Sequence, residues 1–177
     1  MASCRLFVHE KVYDKFIQKM KDIAESKVAG DQFSADTTQG AICKKSTFNK
    51  LLDYIELAKK EGARLVTGGS RVGAKGNFIQ PAVFADVTDD MTITKDEVLG
   101  PVLLVSKFSD LDDAVKRANA TKYGLASGIF TRDINNAIRV SNSLDAGSVW
   151  VNCYEAVFNQ AAFGGFKQSG FGRELCE

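Results

Sequence analysis

The sequence predicts an α/β fold, a mostly parallel sheet flanked by helices. Two observations carry this expectation. Short apolar runs of strand length alternate with longer segments whose apolar residues recur at helical spacing, and Gly or Pro separates most of them. Parallel strands need crossover connections, and helical crossovers cover the faces of the sheet they join. With 177 residues, the chain fits one domain able to bury a substantial core.

Leu6-Phe7-Val8 reads as a short buried strand. From Lys11 to Ser26, Val12, Phe16, Met20 and Ile23 recur at helical spacing, and Gly30-Asp31 closes that unit. Residues 32–45 form a polar loop. A second amphipathic helix is expected from Ser46 to Glu61, with Phe48, Leu51, Leu52, Ile55 and Ala58 inward and Gly62 as its stop. Leu65-Val66 is a short strand ended by Gly68-Gly69. Residues 78–84 alternate partly, and Pro81 marks them as an edge or irregular strand. Residues 86–95 are polar.

Val102–Phe108 is a further strand, opened by Pro101. Asp110 is placed to cap a following helix with Leu111, Ala114, Val115 and Ala118 inward. Residues 123–130 read as turn plus strand. Asp133 caps a helix carrying Ala137, Ile138, Ser141 and Leu144, which Ala146-Gly147 stops. Val149-Trp150-Val151 is a further buried strand, Trp150 being a core residue.

Composition narrows the function classes. The net charge is +1 with acids and bases interspersed, so no basic stripe supports nucleic-acid binding. No apolar run reaches the roughly 20 residues that span a bilayer. Four scattered cysteines and a single histidine give no zinc-ligand spacing, so no metal is expected. Unpaired cysteine spacing in a chain with an adequate core points to free thiols in a reducing, intracellular setting.

Two stretches stand apart. Asp96-Glu97-Val98-Leu99-Gly100-Pro101-Val102 ends an acidic pair in a Gly-Pro corner at the mouth of a strand, where Gly100 permits backbone angles other residues avoid. Beyond Asn152, residues 158–174 hold glycines and aromatics with neither helical nor strand period. Glycines allow close backbone approach and aromatics supply contact area, yet the same composition also fits a flexible tail.

The tail Phe163-Gly164-Gly165-Phe166-Lys167-Gln168-Ser169-Gly170-Phe171-Gly172-Arg173-Glu174 resembles the end of the aldehyde dehydrogenase catalytic domain, with Ala162 where that family has proline. Glu97–Val102 resembles the family's Glu-x-Phe-Gly-Pro-Val, with Leu99 replacing phenylalanine. Thr38-Gln39-Gly40, Phe78-Ile79-Gln80-Pro81 and Tyr123-Gly124-Leu125 are similar to family segments in the same order. The resemblance covers essentially all of residues 1–177. It implies an aldehyde dehydrogenase catalytic-domain-like fold truncated at both ends, with the cofactor-binding domain absent.

The resemblance implies oxidation of an aldehyde to a carboxylate with NAD or NADP. In that family a cysteine thiolate attacks the carbonyl and a glutamate activates the hydrolytic water. Arg5 matches the arginine five residues after the nucleophile, which puts the nucleophile one position before Met1, outside this sequence. No catalytic residue is therefore assigned, and this chain alone is expected to be inactive. Cys4 is read as a packing cysteine whose neighbour Arg5 can lower its pKa. Glu97 matches the glutamate that hydrogen-bonds the nicotinamide ribose, and Leu99 the position packed beside the nicotinamide. Phe163 matches a substrate-channel aromatic, and residues 154–158, with Glu155 and Val157, match the channel's variable rim. Apolar residues there favour hydrophobic aldehydes. Asn152 fits a strand-end turn as readily as a site residue. His9 and the lysines Lys44, Lys45 and Lys50 are read as carrying no chemistry.

The resemblance further implies a homo-oligomeric parent in the cytoplasm or the mitochondrial matrix. Two competing readings are a non-catalytic interaction or structural protein on the same domain, and an acyl-phosphate or acylating semialdehyde reductase.

Overall fold

A four-stranded sheet in the order β1-β4-β3-β2 organises the first half of the chain in the computed structural model, which describes residues 4–176. Its strands are β1 (Arg5–His9), β2 (Arg64–Thr67), β3 (Ala82–Ala85) and β4 (Val102–Phe108). β1 and β3 flank β4 in parallel, and β2 closes the sheet antiparallel to β3. The remaining strands pair two by two. β5 (Tyr123–Gly124) runs antiparallel to β8 (Phe166–Lys167), and β6 (Ala126–Ile129) runs parallel to β7 (Ser148–Val151). The α/β class with mostly parallel pairing therefore holds. Pairing divides the strands into three sheets, and the described residues fall into two compact units, Cys4–Ser109 and residues 110–176.

Alternation along β3 and β4 shows why the first sheet is covered on both faces. Ala82, Phe84, Val102 and Leu104 join one buried cluster, with Phe48, Leu51 and Ile55 of helix α2 (Lys45–Lys60). Val83, Ala85 and Val105 join the other, with Tyr13 and Ile17 of helix α1 (Glu10–Glu25). Successive strand side chains point to opposite faces, so a strand buried on both sides reads as a continuous apolar run.

Pro81 does not make an edge strand. It sits one residue before β3, whose central place between β4 and β2 leaves the edges to β1 and β2. The Ala82 N–H, the first after the proline, donates to Pro101 O at 2.8 Å. A proline at a strand entrance removes no ladder bond.

The sheet-facing stripe of α1 also differs from the expected one. Tyr13, Ile17 and Ala24 are buried and Phe16 and Met20 partly so, whereas Val12 and Ile23 are about half exposed. Tyr13 rotates the stripe by one residue because its hydroxyl is satisfied inside. Its Oη accepts from the Asp86 N–H at 2.7 Å and lies 3.0 Å from Asp86 Oδ1 and 3.3 Å from Val105 O, two acceptors for its single proton. Asp86, held at φ 57, also accepts from Arg64 Nε at 2.7 Å. Burial works against the Asp86 charge, but the bonds from Arg64 and Tyr13 outweigh it and lower its pKa.

Burial, with the Asp86 carboxylate nearby, pushes Tyr13 up to about 12 from its ordinary 10.0. A folded-state pKa raised above the unfolded one gives stability that is complete below the unfolded value and lost as pH rises toward the folded value. Stability should therefore fall as pH rises from 10.0 to about 12, and Tyr13→Phe should flatten that limb. Urea midpoints measured across the alkaline range check this. An unchanged alkaline slope in the variant refutes the assignment.

Helix α2 begins one residue earlier than expected and ends in a glycine stop. Gly62, at φ 97, donates to Lys59 O at 3.2 Å, and Ala63 donates to Ala58 O at 2.9 Å, satisfying two terminal carbonyls. The supposedly polar stretch after β3 contains the short helix α3 (Thr92–Lys95), anchored by buried Met91 and Ile93. Two isolated apolar residues leave no period to read in a segment of this length.

In the second unit, helix α4 (Leu111–Asn119) is capped by Asp110, whose carboxylate accepts from the Asp113 N–H at 2.8 Å. Helix α5 (Ile134–Ser143) is capped by Asp133 but buries Ala137 and Val140, leaving Ile138 exposed. The expected face was misplaced because α5 packs on the narrow β6–β7 pair, which covers only part of its apolar surface. Trp150 is core, and its Nε1 donates to Ala156 O at 2.8 Å. Asn152 is a turn residue at φ 55, exchanging side-chain bonds with the Thr131 N–H at 2.8 Å and Thr131 O at 2.9 Å. The tail is ordered as a closed loop, with Phe163 and Glu174 exchanging both backbone bonds at 2.8 Å. Among the described residues, no helix is long and apolar enough to cross a membrane.

Candidate functional site

The Asp96–Val102 corner opens onto a cleft beside helix α2. Val98 is buried and pins the corner to the core, which turns its neighbours Glu97 and Leu99 outward. Both line a cleft of about 240 Å³ together with Ser46, Thr47, Lys50, Leu51 and Tyr54. Gly100 is not at a left-handed φ, so the backbone freedom expected of it is not what the corner uses. Space decides instead, since a Cβ there would lie 2.4 Å from Leu51 Cδ1.

Helix periodicity explains the α2 wall. Thr47, Lys50 or Leu51, and Tyr54 recur at three- or four-residue spacing on one face. Lys50 Nζ stands 5.3 Å from the Tyr54 ring centroid, a favourable placement of a cation over an aromatic face. Tyr54 Oη donates to Asp96 Oδ2 at 2.6 Å. That bond, and then burial, raises the Tyr54 pKa. Lys50 is therefore not merely a solvated helix residue. What marks it is tertiary, its place in the cleft that Glu97 also lines.

The cleft's chemistry fits a hydroxyl-bearing group with an apolar neighbour. Glu97 offers carboxylate oxygens able to accept from two adjacent hydroxyls, while Lys50, Ser46 and Thr47 offer donors. Leu51 and Leu99 supply apolar surface, and Leu99 is 62% exposed, leaving its side chain available for cover.

Phe163, Glu155 and Val157 lie in the other unit. Phe163 is half-buried and held by its paired bonds to Glu174. Glu155, at φ 59, and Val157, 53% exposed, flank Ala156, the residue whose carbonyl anchors this loop to Trp150. Phe158, 62% exposed, extends the apolar rim.

Cys4 departs from one expectation. Burial raises its pKa, and Arg5 lowers it less than burial raises it. Its carbonyl accepts from the Leu104 N–H at 2.8 Å, so the residue is tied to the sheet beside β1. The segment Met1–Ser3, which carried the rest of the match around the nucleophile, lies outside the described residues. Iodoacetamide should alkylate Cys4 at least about tenfold more slowly than exposed Cys43 and Cys153, because the thiolate reacts. Peptide mapping over time checks this, and Cys4 labelling first contradicts it. His9 caps α1 through Nδ1, which accepts from the Lys11 N–H at 3.2 Å, and its ring meets Phe108 edge-on.

Comparison with known proteins identifies the family. The family model described as "Aldehyde dehydrogenase family" matches residues 1–177. Aldehyde dehydrogenase 1A1 of Oryctolagus cuniculus is 52% identical over 177 residues, which are 100% of this chain and 36% of that protein. The Mus musculus protein named aldehyde dehydrogenase, cytosolic 1 is 51% identical over 177 residues, 100% of this chain and 35% of its own. An NAD+ complex of aldehyde dehydrogenase from Bacillus cereus superposes with a TM-score of 0.93 at 44% identity, covering 97% of this chain and 35% of that one. The chain thus spans about a third of the length of the curated relatives it matches. It belongs to the aldehyde dehydrogenase family.

Proposed function

We propose that this chain supplies the ribose side of the cofactor site and one wall of the substrate channel in an NAD- or NADP-dependent oxidation of an aldehyde to a carboxylate. The single observation carrying this reading is that outward-facing Glu97, Lys50 and Leu99 line one cleft. A bound nicotinamide would supply the hydride acceptor for that oxidation. Glu97 would accept hydrogen bonds from the two ribose hydroxyls and so orient the sugar. Lys50 and Thr47 would donate to its oxygens, and Leu99 would cover the nicotinamide in place of the aromatic ring common in the family.

Phe163, Val157 and Phe158 present apolar surface to the aldehyde, which favours hydrophobic substrates. Glu155 marks the polar limit of that rim. Cys4 serves packing and carries no nucleophilic role, because its burial disfavours the thiolate. The assembly is read as a homo-oligomer and the setting as cytoplasm, the latter supported by the mouse relative's name.

Titrating the ¹⁵N-labelled chain with NAD+ tests the reading. Glu97→Gln keeps the shape and loses the charge, and should weaken binding about tenfold, the scale of one charge-assisted hydrogen bond. Equal affinities for the two proteins contradict the assignment.

A further inference from the structure

We infer that Tyr54, Asp96 and Glu61 are positioning residues that hold Glu97 at a fixed place opposite Lys50. The inference rests on reading the Glu97 cleft as the cofactor-ribose site, and adds what sets that site's geometry.

Glu97 hangs just beyond α3, a four-residue helix too short to be stable on its own. Both ends of α3 are tied to α2 instead. At its start, the Thr92 N–H donates to Glu61 Oε2 at 2.8 Å and Thr92 Oγ1 donates to Glu61 Oε1 at 2.6 Å. The Met91 cap makes no side-chain bond, so Glu61, at the C-cap of α2, supplies the missing acceptor. At its end, Tyr54 Oη donates to Asp96 Oδ2 at 2.6 Å, one residue before Glu97.

Tyr54 and Glu61, the C-cap of α2, are seven residues apart, about two turns, so they lie on one side of the helix. Lys50 lies one turn before Tyr54 on that face, its ammonium over the Tyr54 ring. One helix face therefore carries the cleft's cation and both anchors of the segment bearing its carboxylate. Buried Ile93 and Val98 hold α3 and the corner against the core, but apolar packing fixes depth more than direction. The two polar anchors set how the 96–97 peptide is turned, and so where the Glu97 carboxylate stands. Asp96 does not line the cleft, so its effect on a ligand passes through this arrangement.

The test uses Tyr54→Phe, Asp96→Ala and Glu61→Ala in the full chain, with Asp96→Asn as the conservative variant that keeps an acceptor oxygen for Tyr54. Amide exchange at Glu97 and Val98 should quicken about tenfold in the first three, while β4 amides keep their rates. Asp96→Asn should stay near the parent rates. NAD+ affinity followed by amide shifts should fall about fivefold to tenfold in each. The double variant Tyr54→Phe/Asp96→Ala should lose no more than either single, and adding Glu97→Gln should cost nothing further. Unchanged exchange at Glu97 and Val98, or losses that add to that of Glu97→Gln, overturns the proposal. If exchange quickens but Glu97→Gln leaves NAD+ binding intact, the positioning role stands and the cofactor reading falls.

Discussion

Phe84→Ala should lower the stability of the Cys4–Ser109 unit by about 3–5 kcal/mol, the cost of deleting a large aromatic from a packed core. Phe84 is fully buried in β3, flanked by Leu65 on β2 and Leu104 on β4. It belongs to the cluster that includes Leu51 and Ile55 of α2, so the cavity would open under the helix that forms one wall of the cleft. Domains of this size hold roughly 5–15 kcal/mol in total, so the loss is a large share. Urea unfolding should show a lower midpoint. Phe33→Ala is the control, because Phe33 is 88% exposed and its removal should stay within about 0.5 kcal/mol. Similar shifts for both variants would mean that the buried cluster does not hold the sheet together.

Gly147→Ala should detach the glycine-aromatic tail, which contributes β8, from β5. A Cβ at Gly147 would lie 1.8 Å from Gly164 O and 2.7 Å from Gly164 C. These are backbone atoms that cannot rotate aside, unlike the far end of a flexible side chain. Overpacking costs typically 1–3 kcal/mol and more where the backbone must shift, so the effect should reach at least about 3 kcal/mol within this unit. The register linking Gly147 to the strand pair is already fixed, since its N–H donates to Gly124 O at 3.0 Å and the Gly124 N–H donates to Ser169 Oγ at 3.0 Å. The first structure lost should be the paired Phe163–Glu174 bonds, read as faster exchange of those two amides. Protection unchanged at both positions would show that the close approach is not needed.

The strands were legible where apolar runs were continuous and bounded. Val102–Phe108 needed no adjustment, because a strand buried on both faces leaves a long unbroken signal. The four longer helices were equally clear, but the short α3 was missed and two helix faces were misplaced. Tyr13 looked polar in sequence and is 1% exposed, since its hydroxyl finds partners on Asp86 that lie far along the chain. Ile138 looked buried and is exposed because the sheet beneath α5 is only two strands wide. Pro81 misled for a positional reason, one residue separating an edge-strand signal from a strand entrance.

The cleft was half legible. Glu97 and Leu99 stood out through the Gly-Pro corner and the family resemblance, whereas Lys50 sat among lysines that read as a solvated face. What distinguishes it is tertiary, the approach of α3 and its corner to α2, and no local pattern carries that information. The same holds for Tyr54 and Glu61, whose partners Asp96 and Thr92 lie 42 and 31 residues away in sequence. Cys4 shows the converse, an adjacent arginine suggesting a lowered pKa that burial reverses.

The central claim is that the Glu97 cleft receives the nicotinamide ribose. Intermolecular NOEs between NAD+ and the labelled chain test it most directly. The account predicts NOEs from the nicotinamide-ribose protons to the Leu99 methyls and the Tyr54 ring, lost in Glu97→Gln at the same ligand concentration. NOEs from those protons to other residues, with Leu99 and Tyr54 silent, would contradict it.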